Sequence, residues 1–229
     1  MTPLVLIPGM MCDARMWGGL PAALHLREVG HALPVGADSM AALAAQVLRD
    51  APPRFALAGL SMGGIVAMEV LRQAPERVER LALLDTNPLA EAEAVQSGRI
   101  AQISRVRAGR LAEVMRDEMK PLYLAQTAQK AMILDLCMQM ALDLGPAVFA
   151  DQSRALASRP DQTATLAAFR GPALVLMGAE DRLCPKARHE LMHALMPQSR
   201  LVVIAGAAHL PVLEKPMKTA AALRRWLEE

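Results

Sequence analysis

The sequence predicts an α/β protein, a doubly wound, mostly parallel sheet of about six strands with a helical cap insertion. Three observations carry that prediction. Short apolar runs alternate with helical patterns along the chain, several of those runs are continuous, and one long stretch shows helical periodicity alone. A strand covered by helices on both faces has no polar side, so it reads as an unbroken apolar run.

In chain order the strand candidates are Leu4 to Ile7, a short one at Glu28 to Ala32, Phe55 to Ala58, Leu81 to Leu84, Ala173 to Met177 and Leu201 to Ile204. Helical patterns lie between them. Ser39 to Arg49 follows the capping candidates Asp38 and Ser39. Met62 to Ala74, Ala187 to Leu195 and Pro216 to Leu227 complete the set, the last opening on a proline suited to a first helical position. Strand-helix-strand alternation makes the sheet parallel. From about Pro88 to Gln162 no strand is evident. There Leu111, Val114, Met115, then Met132, Ile133, Leu136, Met140 and Leu144 recur at three- and four-residue spacing. Gly145-Pro146 and Arg159-Pro160 mark turns near the later boundaries of this stretch. The expected organisation is a core of residues 1–87 and 166–229 with a helical cap, residues 88–165, inserted after the strand that ends at Asp85. Open α/β sheets bind ligands at the carboxyl ends of their strands, so a helical insertion at that place is expected to cover the site.

A chain of 229 residues fits one domain. Its 53% hydrophobic and 21% charged content suits a sheet covered on both faces. No uninterrupted apolar run approaches the ~18–20 residues of a membrane span, so no membrane partner is expected. The start, Met1 to Gly9, lacks a basic segment and enters core-like sequence at once, which does not read as a signal peptide and points to the cytoplasm. A net charge of +2, spread along the chain, leaves no footprint for nucleic acid. The densest basic cluster, Arg99, Arg105, Arg107 and Arg110, is expected on a solvated helix face. Cys12, Cys137 and Cys184 are odd in number and widely spaced, which argues for buried thiols over a disulfide framework or a zinc site. Oligomeric state is left open, a homo-oligomer included.

Chemistry concentrates at Gly59-Leu60-Ser61-Met62-Gly63, a G-x-S-x-G turn between a strand and a helix. Such a turn holds its serine in a strained conformation that lifts the hydroxyl above the sheet edge. Glycine is required at both ends because a side chain there would strike the neighbouring strand or helix. A serine hydroxyl is a poor nucleophile at neutral pH, so Ser61 needs an imidazole and an acid to orient it. Of five histidines, His209 alone sits in a loop directly after the last strand candidate, where catalytic groups gather. His189 and His193 share a helix at i, i+4, but no third metal ligand is evident and an exposed face is expected. The acid expected is Asp181, in the loop after Ala173 to Met177. Glu180 should point elsewhere, and Asp85 is the alternative. Two backbone N–H groups would stabilise an oxyanion, that of Met62 at a helix start and that of Met10 in the loop Pro8-Gly9-Met10-Met11.

Taken together, the Pro-Gly loop, the G-x-S-x-G elbow, the helical insertion, the G-x-x-D-x-x-x-P segment from Gly178 to Pro185 and the terminal His209-Leu210-Pro211 resemble an α/β-hydrolase-fold protein of the capped esterase and lactonase-like kind. The resemblance spans nearly the whole chain, and the order Ser61, Asp181, His209 is that family's order. Two departures stand out: Pro8-Gly9 replaces a common His-Gly, and two N-terminal strands are missing, which implies the smaller sheet. The resemblance implies a serine hydrolase of esters, thioesters or lactones, working through an acyl-enzyme on a small-molecule substrate with no cofactor and no metal. A methionine-rich lid, with Met11 and Leu210 expected near the site, points to a small, mainly apolar substrate, because unbranched thioethers adapt to varied shapes. Cleavage of a C–C bond or an amide, or perhydrolysis on the same triad, stays open, as does a slow-turnover ligand-binding or regulatory protein. Dehalogenase chemistry is disfavoured because the elbow carries serine instead of aspartate.

Overall fold

The computed structural model describes residues 2–25 and 28–229. Six parallel strands form one sheet in the order β2-β1-β3-β4-β5-β6. They are β1 (Leu4–Ile7), β2 (Val29–His31), β3 (Phe55–Leu60), β4 (Val78–Leu84), β5 (Ala173–Gly178) and β6 (Arg200–Ile204). Register is fixed by pairs such as Leu6 with Ala58, Ala58 with Ala82, Ala82 with Leu174, and Leu176 with Val202. Strands β1, β3 and β5 are buried throughout, whereas the edge strands β2 and β6 carry exposed residues.

Side-chain alternation splits the core in two. Val5, Ile7, Phe55, Leu57, Leu81 and Leu83 face one side and pack with Met40, Leu43 and Val47 of helix Met40–Asp50 and with Val66 of helix Met62–Gln73. Leu4, Leu6, Ala56, Ala58, Ala82 and Leu84 face the other and pack with Trp17, Leu223 and Trp226, the last two from helix Pro216–Glu228. This is the doubly wound arrangement, with each strand's odd and even residues serving different layers. Ser39 caps its helix by accepting the Ala42 N–H at 3.3 Å.

Between β4 and β5 the described residues contain helices and no strand. Glu93–Arg107 is followed by short turns of helix and then by Lys130–Ala157, which breaks at Gly145 (φ 82°, ψ 176°). Pro146 opens the second arm, so the turn that Gly145-Pro146 marks in the sequence is a kink between two helices. By length and composition this stretch could cross a membrane, but the break leaves neither arm with the ~20 residues a span needs. The periodic residues Leu111, Val114, Met115, Ile133 and Met140 are buried as expected, while Met132 is 66% exposed. The Gln162 N–H donates to Pro88 O at 2.8 Å and draws the two ends of the segment together.

Candidate active site

Ser61 joins β3 to helix Met62–Gln73 with φ 55° and ψ −118°, a left-handed conformation costly for a side-chain-bearing residue. The elbow is held by its backbone: Ser61 N–H donates to Leu84 O at 2.9 Å, and Ser61 O accepts from Thr86 Oγ1 at 2.7 Å. A Cβ at Gly59 would lie 2.2 Å from Gly63 O, and one at Gly63 would lie 2.0 Å from Ile7 O. Both glycines are therefore required by close backbone approach, as the motif implies.

The structure brings Ser61, His209 and Asp181 together from three separate loops. His209 Nε2 lies 2.9 Å from Ser61 Oγ, and His209 Nδ1 lies 2.9 Å from Asp181 Oδ2. Asp181 Oδ1 accepts the N–H groups of Leu183 at 2.8 Å and Cys184 at 3.1 Å. Burial pushes the Asp181 carboxyl up, but His209 and these two amides outweigh it and hold it below the ordinary carboxylate range. Glu180 is exposed and makes no side-chain hydrogen bond to His209 among the described residues.

Asp85, the alternative acid, does something else. It is fully buried at the end of β4 with φ 44°, accepts the Gly178 N–H at 2.8 Å through Oδ1, and leaves Oδ2 without a partner among the described residues. Burial, reinforced by the nearby charge of Asp181, drives its carboxyl well above the ordinary range. A buried acid in that setting carries its proton.

In the loop after β1, Gly9 N–H points at Met16 Sδ (3.4 Å), Met11 N–H donates to Gln152 Oε1 (2.9 Å) and Cys12 N–H donates to Gly9 O (3.2 Å). The Met10 N–H has no acceptor among the described residues, and the same holds for the Met62 N–H. Both residues line one cavity of about 430 Å³ with Ser61 and His209. Its wall includes Ile65, Leu156, Met119 and Tyr123, together with Leu210, which is expected near the site. Met11, also expected there, is buried outside that wall.

Three expectations are corrected. His189 is fully buried with neither ring nitrogen partnered among the described residues, and burial lowers its pKa to about 4, so it does not share an exposed face with His193. His193 Nδ1 instead meets Ser199 Oγ at 2.8 Å. Arg99 turns into the cavity and pairs with Glu91, leaving Arg107 and Arg110 on the solvated face. Cys12 and Cys137 are buried thiols, but Cys184 is half-buried at the cavity wall. Donor atoms of Asp181, Cys184 and His209 lie within 4.8 Å of one another. Aspartate and histidine are already bonded to each other there, and burial pushes the Cys184 thiol up, which makes this a poor ligand set.

Sequence reasoning misses the residues that hold these loops. Glu214 accepts the N–H groups of Ala208 (2.9 Å) and Leu210 (3.3 Å) on either side of His209, and that of Ala125 (2.8 Å) from the helical segment. The His209 N–H donates to Tyr123 O at 3.0 Å. Glu214 alone carried a signal, an acidic residue five positions after the histidine in an apolar run.

Comparison with known proteins shows the family and the fold. The sequence model of the alpha/beta hydrolase family matches residues 4–222. A pimeloyl-[acyl-carrier protein] methyl ester esterase from Edwardsiella ictaluri is 28% identical over 238 residues, covering 96% of this chain and 91% of its own. The Serratia marcescens enzyme of that name is also 28% identical, covering 93% and 89%. Among solved structures, a malate-bound thermophilic esterase from Thermogutta terrifontis superposes with a TM-score of 0.90 at 29% identity, covering all of this chain and 90% of its own. An enol-lactonase from Burkholderia xenovorans shares the fold, with a TM-score of 0.86 at 21% identity and coverage of 100% and 92%. With 219 of its 229 residues inside the family match, this chain belongs to the alpha/beta hydrolase family.

Proposed function

We propose that the protein is a serine esterase of small carboxylic esters, with Ser61 as nucleophile, His209 as general base and acid, and Asp181 as the group that orients His209. The observation that carries this reading is the unbroken Ser61–His209–Asp181 hydrogen-bonded line at the floor of the cavity. Ser61 Oγ attacks the ester carbonyl while its proton passes to His209 Nε2. The oxyanion is received by the Met10 and Met62 N–H groups, which have no acceptor among the described residues. Collapse of the intermediate breaks the bond to the alcohol, which takes the proton from Nε2. Water, deprotonated by the same nitrogen, then attacks the acyl-enzyme and releases the acid. Asp181 stays ionised and stabilises the imidazolium.

Residues 88–165 act in this reading as a cap. Glu91, Val95, Arg99, Met119, Tyr123, Leu156 and Arg159 supply one wall of the cavity and the hydrolase core the other. Relatives named for hydrolysis of a methyl ester support a small alcohol as leaving group. Three unpaired cysteines fit a reducing compartment, and we place the enzyme in the cytoplasm.

The test is hydrolysis of p-nitrophenyl esters of increasing acyl length by wild type and Ser61→Ala, with fluorophosphonate labelling mapped by mass. Labelling at Ser61, and a loss of at least about 10³-fold in kcat on substitution, are expected. Undiminished turnover by Ser61→Ala would sink the reading.

A further inference from the structure

The cavity that holds Ser61 is lined by four arginines, Arg99, Arg159, Arg182 and Arg188, and, among the described residues, by a single acidic side chain, Glu91. Glu91 is shared: its carboxylate meets the Arg99 guanidinium at two points and Arg159 Nη1 at 2.6 Å. Arg159 is fixed further by donating from Nε to Leu89 O at 2.9 Å. The two arginine side chains are only 15% and 10% exposed, and Glu91 is 2% exposed. One carboxylate between two largely buried guanidinium groups leaves a net positive charge where water is scarce, an arrangement that a bound anion relieves. Among the described residues the Met10 sulfur, at 3.9 Å, is the only acceptor near Arg99 Nη1, which places this charge beside the loop that carries the Met10 N–H.

From the opposite side come Arg182, exposed, and Arg188, half-buried, neither in an ion pair among the described residues. Arg159, Arg182 and Arg188 line the same cavity as Cys184, so the two pairs of arginines share one ligand space. Four positive side chains against Glu91 leave a surplus of three charges on the wall, and a surplus of two when Asp181 behind His209 is counted. Apolar side chains, Leu60, Ile65, Met119 and Leu156 among them, make up much of the remaining wall, with Thr86 and Asn87 as polar members. Such a cavity fits an aliphatic chain with an anionic end.

We propose that the arginine wall binds a free carboxylate on the acyl chain, so that the preferred substrates are hemiesters of short dicarboxylic acids. The ester carbonyl sits at Ser61, the methylene chain lies along the apolar wall, and the carboxylate engages Arg159 and its neighbours in a bidentate, charge-assisted pair. This rests on the serine-esterase reading for its chemistry and adds the substrate class. Because the carboxylate is remote from the reacting carbonyl, its binding is felt equally in ground and transition states and appears mainly in KM.

The experiment compares kcat/KM of the wild-type enzyme for monomethyl glutarate, adipate and pimelate with methyl esters of equal length ending in a primary amide or a methyl group. At least about a tenfold preference for the anionic series is expected, carried by KM, and it should shrink in Arg159→Gln and Arg188→Gln. Equal turnover of the two series, or a preference that survives both substitutions, overturns the proposal. If neutral esters are cleaved in a Ser61-dependent way with no anionic preference, this inference fails and the esterase reading stands. If no ester is cleaved, calorimetry of adipate with the Ser61→Ala protein decides separately. Binding that Arg159→Gln weakens at least tenfold supports the wall, and no binding overturns it.

Discussion

The side-chain amide of Gln152 grips the loop that carries Met10. Its Oε1 accepts the Met11 N–H at 2.9 Å and its Nε2 donates to Pro34 O at 2.9 Å, all of it fully buried. Met11 itself is left-handed, with φ 54°, a conformation that needs outside support in a residue with a side chain. Gln152 lies in the second arm of the broken helix, so a residue of the helical segment sets the backbone beside the Met10 N–H.

That bond predicts the behaviour of Gln152→Leu. Two buried backbone groups lose their partners, at a cost of about 1–3 kcal/mol each at most, and the Met10 N–H loses its aim. The kcat for a neutral ester should fall by roughly 10–100-fold with a smaller change in KM. Gln152→Glu can still accept from Met11 but donates to Pro34 only when protonated, so its activity relative to wild type at the same pH should recover as pH is lowered. A variant that loses stability with kcat unchanged would make Gln152 a packing residue only.

Asp181 and Asp85 stand at adjacent strand ends and should respond to the same substitution in opposite ways. Asp181→Asn removes the acceptor that fixes the His209 tautomer, and kcat should drop by roughly 10³–10⁴. Asp85 is already neutral, and asparagine can accept the Gly178 N–H in its place, so Asp85→Asn should keep kcat/KM within a factor of a few. Stability separates them as well. With its folded pKa raised, Asp85 favours folding fully below its unfolded pKa of ~3.9, and that contribution is lost as pH rises toward the folded pKa. Asp85→Asn cannot ionise, so its Tm should gain on wild type as pH rises above ~4. A Tm difference flat in pH would show Asp85 to be ionised.

What the sequence made legible follows from where information is local. Ser61 carries its own signature because the elbow's glycines, helix and strand are contiguous with it. Asp181 and His209 follow because each lies just past a strand whose apolar run is unmistakable. Gln152 and Arg159 are invisible for the opposite reason: their partners are backbone groups 118 and 70 residues away, and no spacing rule connects them. His189 shows a subtler limit. Its i, i+4 relation to His193 fixes a helix face, but only the packing of that helix on β5 decides which end of the face is buried.

Burial of His189 has a measurable consequence. Its folded pKa, about 4, lies below the ~6.5 of an unfolded histidine. The neutral form is therefore favoured by folding above ~6.5, and that contribution is lost as pH falls from ~6.5 toward the folded value. The loss is on the order of 3 kcal/mol by pH 4. His189→Leu removes the titrating group and the two unpartnered nitrogens, so its urea midpoint should fall less than that of wild type between pH 7 and 4.5. Parallel slopes in the two proteins would show that the buried ring takes no part.

Glu214 holds His209 from below, and its two oxygens have divided tasks. Oε2 accepts the Ala208 and Leu210 N–H groups that flank the histidine, and Oε1 accepts the Ala125 N–H of the helical segment. Burial raises this carboxyl, and the three amides oppose that rise. A glutamine offers one acceptor oxygen and must turn its NH2 toward an N–H on the other side, so Glu214→Gln leaves one bond unmade and sets two donors face to face. About 1–3 kcal/mol of stability should be lost. The useful readout is kinetic. If Glu214 positions His209, the rate of fluorophosphonate labelling at Ser61 and kcat should fall together, by about tenfold or more, with KM for a neutral ester little changed. Glu214→Asp, which keeps both oxygens on a shorter stem, should recover part of that loss. A Glu214→Gln protein that melts earlier but labels at the wild-type rate would confine the residue to holding the fold.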